Sequence, residues 1–214
     1  NSFSLFKPQQ GGKVIPHGDN NTSTTDTVPT MTSDVLPSGV ASASSEHSAP
    51  YLAWYAFNDS FSGAYGWQTG SGVVDAWIQY QYTSAKAINK YTITCSTAGS
   101  GFLAPKSWTL KAYNTGAFGG EEVILDTVTS ETSWSANEKR TFTCANSTSY
   151  LYYRVHVTAS NATNIAIQEI EFIEAQEVAP YFDVDTGLWY NYLDVAFTTP
   201  PSFLKHPYLV ANGT

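Results

Sequence analysis

The chain has 214 residues, a formal net charge of −8 and 13% charged residues, whereas 14% of its residues are aromatic. Its 10 basic residues are scattered among 18 acidic ones, which argues against nucleic-acid binding, because phosphate contacts need clustered Lys and Arg. No apolar run reaches membrane-spanning length, so we expect no membrane insertion. The length and the abundance of Ser, Thr, Asn and Tyr favour one all-β domain with extensions.

The first 27 residues indicate an irregular N-terminal arm, because prolines, glycines and the polar run NNTSTTDT (20–27) interrupt every periodic pattern. The arm is either flexible or docks on a neighbouring subunit through SFSLF (2–6). A compact domain is expected to span residues 28–174. Its first pieces are a strand around Val40–Ala43, a short helical turn or packed loop in SAPYLAWYAFNDS (48–60), and the Gly-rich aromatic loop FSGAYGWQTGSG (61–72).

Seven short β-type segments follow, with no helical pattern between them. In the first segment Ile78 and Tyr80 are expected on one face and Gln79 on the other, which is the two-residue period of a strand with one buried face. Many short strands separated by turn signals predict an antiparallel β-sandwich or jelly roll. The segments are DAWIQYQY (75–82), INKYTITC (88–95), APKSWTLKAYNTG (104–116), EVILDTV (122–128), KRTFTC (139–144), YLYYRVHVT (150–158) and NIAIQEIEFI (164–173).

The two cysteines, Cys95 and Cys144, both end strand-like runs. Two cysteines are too few for a disulfide framework, and no second Cys or His lies close by in the sequence to complete a metal site. We expect two buried, reduced thiols, with a disulfide between them as the alternative.

Residues 175–214 have a different character from the domain and form a C-terminal extension. Four prolines punctuate a run that is rich in Trp, Tyr, Phe and Leu. The run is too short to fold alone and too apolar for a free linker. We therefore predict that it packs on the domain or on another chain of an assembly.

Taken in order, these segments resemble the discoidin superfamily, also called F5/8 type C domains, and the carbohydrate-binding modules of that fold. The resemblance rests on ASASSEHSAPYLAWYAFND, on GW before a Gly-rich turn, and on AWIQYQY, INKYTIT, APKSWTLKAYN, LDTV, NEKRTFT, YLYYRVHVTAS and IAIQEIEF, and it covers about two-thirds of the chain. The variant found in phage and prophage tail fibre proteins is the most similar. The resemblance implies an eight-stranded antiparallel jelly roll that binds glycans and carries no catalysis.

The resemblance also implies a structural calcium ion, with ligands from the stretch after the Ala-Phe pair and from a late glutamate. On this sequence those positions are Asn58, Asp59, Ser60 and Glu169. The commonest form of the family has Asp where this chain has Asn58, and Thr where this chain has Gly66 before the Trp, and calcium prefers charged oxygen ligands. The alternative is a plain turn at 58–60 with side-chain caps.

Sugar binding needs flat apolar faces and a few polar groups. The resemblance places the binding loops near the end of the first strand, in the Gly-rich loop and in the later hairpins. The candidate ligand-binding residues in these loops are His47, Tyr51, Tyr65, Phe102 and Phe118. The alternative is that Tyr51 is a packing residue, as we expect for Trp54 and Trp67, and that His47 is a solvated surface residue.

Catalysis is not expected, because no positioned acid, base or nucleophile is evident. A glycosidase would need paired carboxylates across a cleft. The pair Glu121/Glu122 is predicted in a solvated turn, and Glu169/Glu171 share one strand face with only one family role between them. No Gly-x-Ser-x-Gly motif is present, and the four histidines show no ligand spacing.

Three functions remain open from the sequence. The first is a glycan-binding adhesin of a virion, such as a tail fibre, that forms homo-oligomers with other virion subunits as partners. The second is a capsid or tail decoration protein, and the third is a carbohydrate-binding module of a larger secreted glycoside hydrolase. The expected location is the virion surface or tail, and otherwise the extracellular space.

Overall fold

The computed structural model describes residues 25–61, 66–97, 103–115 and 120–174, and the backbone of 181–183, 188–190 and 196–197. The chain divides into two units, one formed by Ser23–Ala175 and the other by Asn1–Thr22 together with Gln176–Thr214. Among the described residues, no helix is long and apolar enough to cross a membrane.

The first unit is an antiparallel β-sandwich of nine strands. One sheet has five strands in the order β1-β3-β8-β5-β6, and the other has four in the order β2-β9-β4-β7. The strands are β1 (Val40–Ala43), β2 (Trp67–Gln68), β3 (Ala76–Lys86), β4 (Ile88–Cys95), β5 (Pro105–Tyr113), β6 (Val123–Val128), β7 (Lys139–Thr143), β8 (Tyr150–Ser160) and β9 (Ala166–Glu174). The all-β sandwich predicted from the sequence is therefore confirmed. The expected count of eight strands differs by the two-residue β2.

The second unit contains a small three-stranded antiparallel sheet where the sequence indicated only an aromatic extension. Its strands are β10 (Tyr181–Asp183), β11 (Leu188–Tyr190) and β12 (Ala196–Phe197), with β11 in the middle. Strands of two or three residues carry too little alternation to be recognised in the sequence.

The core of the sandwich lies between the two sheets and is built from alternate residues of each long strand. Ile78 is fully buried and Tyr80 is 1% exposed, as the alternation predicts. Some buried polar atoms in the core are paired across the two sheets. Trp108 Nε1 donates to the Tyr91 hydroxyl at 2.9 Å, and that hydroxyl donates to Asp126 Oδ2 at 2.7 Å.

Between β1 and β2, the residues Ala53–Phe57 form a short 3₁₀ helix, which agrees with the helical turn expected there. Both cysteines are buried and unpaired, so the reduced-thiol interpretation is confirmed over the disulfide. Burial raises the pKa of the Cys144 thiol to about 11.

The strand directions give the sandwich two distinct ends. The loop end is where β1, β4, β6 and β8 finish and where β3, β5, β7 and β9 begin. The first and last described residues of the first unit, 25 and 174, lie at the opposite end of the sandwich, which we call the terminal end. There Asp26 forms a β-bridge with Ile173, and Lys86 pairs with Glu174 at 3.0 Å.

Candidate functional site

The loop between β1 and the 3₁₀ helix is held at the loop end by hydrogen bonds to β2 and to the helix. The His47 amide donates to Gln68 O at 2.8 Å, and the Gln68 amide donates to Tyr51 O at 3.2 Å, so this loop is tied to β2. Glu46 Oε1 accepts from the Ala53 amide at 2.7 Å and caps the helix. These bonds hold the backbone of His47 and Tyr51 in one arrangement.

His47 and Tyr51 meet edge to face, with ring centroids 5.7 Å apart. His47 is exposed and Tyr51 is half-buried. His47 Nδ1 shares a 3.0 Å hydrogen bond with Ser48 Oγ, and Nε2 makes none within the described part of the chain. One imidazole nitrogen is thus held in place while the other remains available for a ligand hydroxyl.

Trp54 in the 3₁₀ helix packs against the hydrophobic core, as predicted from the sequence. Trp54 stacks on Tyr55 with ring centroids 3.7 Å apart, and both side chains are half-buried. Tyr55 was not among the predicted candidates, although the run of aromatic residues in YLAWY was a signal for it. Trp67 is 1% exposed and donates its indole N–H to Ser45 O at 2.8 Å, so its predicted packing role is confirmed.

Tyr65, Phe102 and Phe118 lie outside the described residues and stay predictions. The strands that flank Phe102 finish and begin at the loop end, where His47 is found. β5, which precedes Phe118, ends at Tyr113, and β6, which follows it, begins at Val123. Both strand ends lie at the terminal end, away from the loop end where His47 is found.

The predicted calcium residues come together on the outer side of the four-stranded sheet. Glu169 pairs in register with Thr94, is fully buried, and has two carboxylate oxygens without a hydrogen-bond partner. Asn58 Oδ1 accepts from the Ser60 amide at 2.9 Å, as in a turn with a side-chain cap. Asp59 is exposed and has a positive φ of 55°.

The Glu169 carboxyl is in an unfavourable place for a bare charge. Burial, and then the nearby Asp59 and Asp26 carboxylates, raise its pKa to about 9. The amides of Asn58 and Asp59 point toward it and oppose this rise, but neither closes a hydrogen bond of normal geometry. A buried carboxylate without a hydrogen-bond partner, beside a turn with several oxygen atoms, fits a hard divalent cation.

Side-chain carboxylates alone do not form a complete metal site here. Across the described ranges, no three His, Cys, Asp or Glu side chains come close enough to hold a metal ion. Backbone carbonyl and amide oxygens of the 58–60 turn would therefore have to complete a calcium shell, which needs six to eight oxygens.

There is no room for a side chain at Gly66. A Cβ at this position would lie 2.3 Å from Ile167 O and 2.6 Å from Gln168 Cα, so no larger residue fits without moving β9. Gln168 in turn donates from Nε2 to Ser60 O at 2.9 Å. The backbone at Gly66 therefore lies close against β9.

The second acidic residue of β9 is also engaged. Glu171 Oε2 accepts from Thr92 Oγ1 at 2.6 Å and lies 2.5 Å from Lys139 Nζ. With Glu169 sealed from solvent, the two carboxylates do not face a common cleft in the way a glycosidase requires.

Solved structures share this architecture. A chitosan-binding module of a Paenibacillus sp. IK-5 chitosanase/glucanase, in complex with chitotriose, aligns with a TM-score of 0.53 at 17% identity and covers 63% of this chain and 95% of that one. The family 32 carbohydrate-binding module of a Clostridium perfringens protein, in complex with galactose, gives a TM-score of 0.52 at 19% identity over 64% and 93%. An F5/8 type C domain from Bacteroides fragilis gives 0.55 at 16% identity over 64% and 92%.

The sandwich has the discoidin fold. Each of these modules is matched over nearly its whole length, whereas about a third of this chain extends beyond the discoidin sandwich. No family model matches the sequence, and no curated protein matches it. The similarity to these structures therefore establishes the fold of the sandwich and does not identify its ligand.

Proposed function

We propose that the chain is a non-catalytic module that binds a glycan at its loop end, around His47 and Tyr51. The observation that carries the proposal is the edge-to-face pair of His47 and Tyr51 on a loop that is hydrogen-bonded to β2. Such a pair offers an apolar ring for sugar C–H groups and a nitrogen for a hydroxyl. Discoidin-fold neighbours that were solved with galactose and with chitotriose support this ligand class.

The test is direct binding of the full chain to a glycan array, followed by titration with galactose and with chitotriose. The chain should be displayed as a multimer, because weak single sites gain avidity in that form. We expect His47→Ala to weaken binding about tenfold, the effect of losing about 1.4 kcal/mol from one hydrogen bond and its ring contact. His47 is exposed, so the variant should fold normally.

Val35→Ala is the matched control, because Val35 is an exposed residue with 56% of its surface accessible, in the loop that leads into β1 from the terminal end. Unchanged binding of His47→Ala and Tyr51→Ala would refute this location of the site. Absence of any glycan signal from the multimer would refute the function itself.

We also propose that Glu169, with oxygens of Asn58, Asp59 and Ser60, holds a structural calcium ion. The buried unpaired carboxylate supports this, because a bound cation would supply the positive charge that Glu169 lacks. Calcium should raise the melting temperature of the wild type, and EGTA should reverse the rise. An identical melting temperature in calcium and in EGTA would contradict the site.

We propose that the module is carried on a virion, as a tail-fibre or adhesin component in a homo-oligomer. The support is geometric: residues 25 and 174 lie together at the terminal end, opposite to His47 and Tyr51. Localisation on purified particles by antibody labelling, with light scattering for the oligomer, tests this. Particle binding without any glycan signal would instead favour a decoration protein.

The competing carrier is a larger secreted glycoside hydrolase. The chitosan-binding neighbour derives from a chitosanase/glucanase, which favours this alternative. A catalytic domain in the same reading frame would decide for it and against the virion.

A further inference from the structure

The loops at the loop end contain acidic residues but no Lys or Arg. These loops follow or precede the strands that end or begin there, and they are residues 44–52, 69–75, 96–104, 129–138 and 161–165. Their acidic residues are Glu46, Asp75, Glu131 and Glu138. A ligand that binds among these loops therefore meets negative charge wherever a carboxylate is not already paired.

Three of the four carboxylates have a side-chain partner that can carry positive charge. Arg140, at the start of β7, pairs with both Glu131 and Glu138, and its Nε lies 2.8 Å from Glu138 Oε1. Asp75 Oδ1 lies 2.9 Å from His156 Nε2. Within the described ranges, Glu46 forms no ion pair, and its partner is the neutral Ala53 amide.

Glu46 also lies on the same loop as the His47–Tyr51 pair. It immediately precedes His47, and the Ala53 amide that it binds lies two residues after Tyr51, so this hydrogen bond closes a short loop that contains both rings. The bonded path places Glu46 Oε1 within about 9 Å of the Cα atoms of His47 and Tyr51. Glu46 is exposed, so its carboxylate is held beside the two rings at the protein surface.

We infer that the glycan bound at the loop end carries a positive charge, as an amino sugar with a free amine does, and that Glu46 is the residue that selects it. This inference rests on the proposed glycan site at His47 and Tyr51. A protonated amine would gain a charge-assisted interaction with the Glu46 carboxylate, whereas an acidic sugar would be repelled. Acetylation removes the charge of an amine, so an N-acetylated sugar would lose this gain.

The test compares chitotriose, whose glucosamine units carry free amines, with the fully N-acetylated trisaccharide, which is neutral. Both are titrated into the full chain by calorimetry at about pH 6, where a Glu side chain is ionised and an amine is protonated. We expect chitotriose to bind about fivefold more tightly, which is the upper range for an ion pair between exposed groups. Salt at about 1 M should remove most of this preference by screening the charges.

Glu46→Gln tests the residue itself. The Gln Oε1 can still accept from the Ala53 amide, so the variant removes the charge and keeps the hydrogen bond. Chitotriose should bind about fivefold more weakly, and the N-acetylated trisaccharide should bind as it does to the wild type. Asp34→Asn is the matched control, because it removes the same charge at an exposed residue in the loop that leads into β1 from the terminal end. Its preference for chitotriose should equal that of the wild type.

The outcomes separate the charge preference from the glycan site. Equal wild-type affinities for the two trisaccharides, or binding of galactose without either of them, would overturn the inference and leave the glycan site intact. An undiminished preference in Glu46→Gln, or the same loss in Asp34→Asn, would overturn the role of Glu46. Chitotriose binding of wild-type strength in His47→Ala would also overturn it, because attraction to the acidic surface as a whole would then explain the binding. Absence of binding to any glycan would overturn both the inference and the proposed function.

Discussion

Replacing Glu169 by Gln should change how the stability of the cation-free protein depends on pH. In the folded protein the pKa of Glu169 is raised from 4.5 to about 9, mainly by burial. Between these two values the folded protein keeps a proton that the unfolded chain releases, so stability falls as pH rises, by about 1.4 kcal/mol per pH unit. Between pH 5 and pH 8 the contribution of this one carboxyl reaches about 4 kcal/mol as an upper limit.

Gln keeps the shape of Glu169 and has no charge to lose. In EGTA, the unfolding free energy of Glu169→Gln should therefore decline less between pH 5 and pH 8 than that of the wild type. The absolute stability of the variant carries an offset of about 1–3 kcal/mol if the amide is left unpaired, and that offset is the same at every pH. The difference between the two pH profiles is thus the quantity to measure.

Urea unfolding, followed by Trp fluorescence at four pH values from 5 to 8, gives both profiles. Asp34→Asn, which makes the same change from carboxylate to amide at an exposed surface residue, is the control. Saturating calcium should restore stability to the wild type at pH 8 and leave Glu169→Gln unchanged. Parallel profiles for wild type and Glu169→Gln in EGTA would refute the raised pKa and the reasoning about the buried charge.

Two further substitutions test the packing that positions the site. Gly66→Ala should destabilise the sandwich by about 1–3 kcal/mol, because its Cβ would meet the β9 backbone; Gly70→Ala, whose Cβ would lie 3.5 Å from its nearest neighbour, should not, and equal melting temperatures would contradict this. Tyr91→Phe should cost about 1–3 kcal/mol in urea unfolding, because the buried Trp108 N–H loses its acceptor. Wild-type stability of Tyr91→Phe would show that another group satisfies this N–H.

Much of the sandwich could be predicted from the sequence because the long strands alternate clearly. In β3, for example, the alternation of apolar and polar residues in the sequence predicts one buried face. The order of β3 and the later strands along the chain then indicates the resemblance to the discoidin fold. The two-residue β2 and the short strands β10 to β12 could not be predicted, because two or three residues do not define a period.

The candidate site was predictable only where it follows local sequence. His47 and Tyr51 are four residues apart on one loop, and their pairing is a local event. The Phe172 amide donates to Asp26 Oδ1 across 146 residues of sequence, and no local pattern indicates such a contact. The close approach of Gly66 to β9 could not be predicted either, because the sequence does not show which backbone atoms surround a glycine.

The positions of residues 25 and 174, at the two ends of the first unit, determine how the sandwich responds to mechanical force. Pulling residues 25 and 174 apart would open the Asp26–Ile173 bridge and the edge of β9 one bond at a time. A force applied between a ligand at the loop end and an attachment at the terminal end would instead act along the strands. Ladder hydrogen bonds lie perpendicular to the strands, so this second load is shared by many of them at once. The discoidin sandwich should therefore withstand a higher force applied along its strands than one that separates residues 25 and 174.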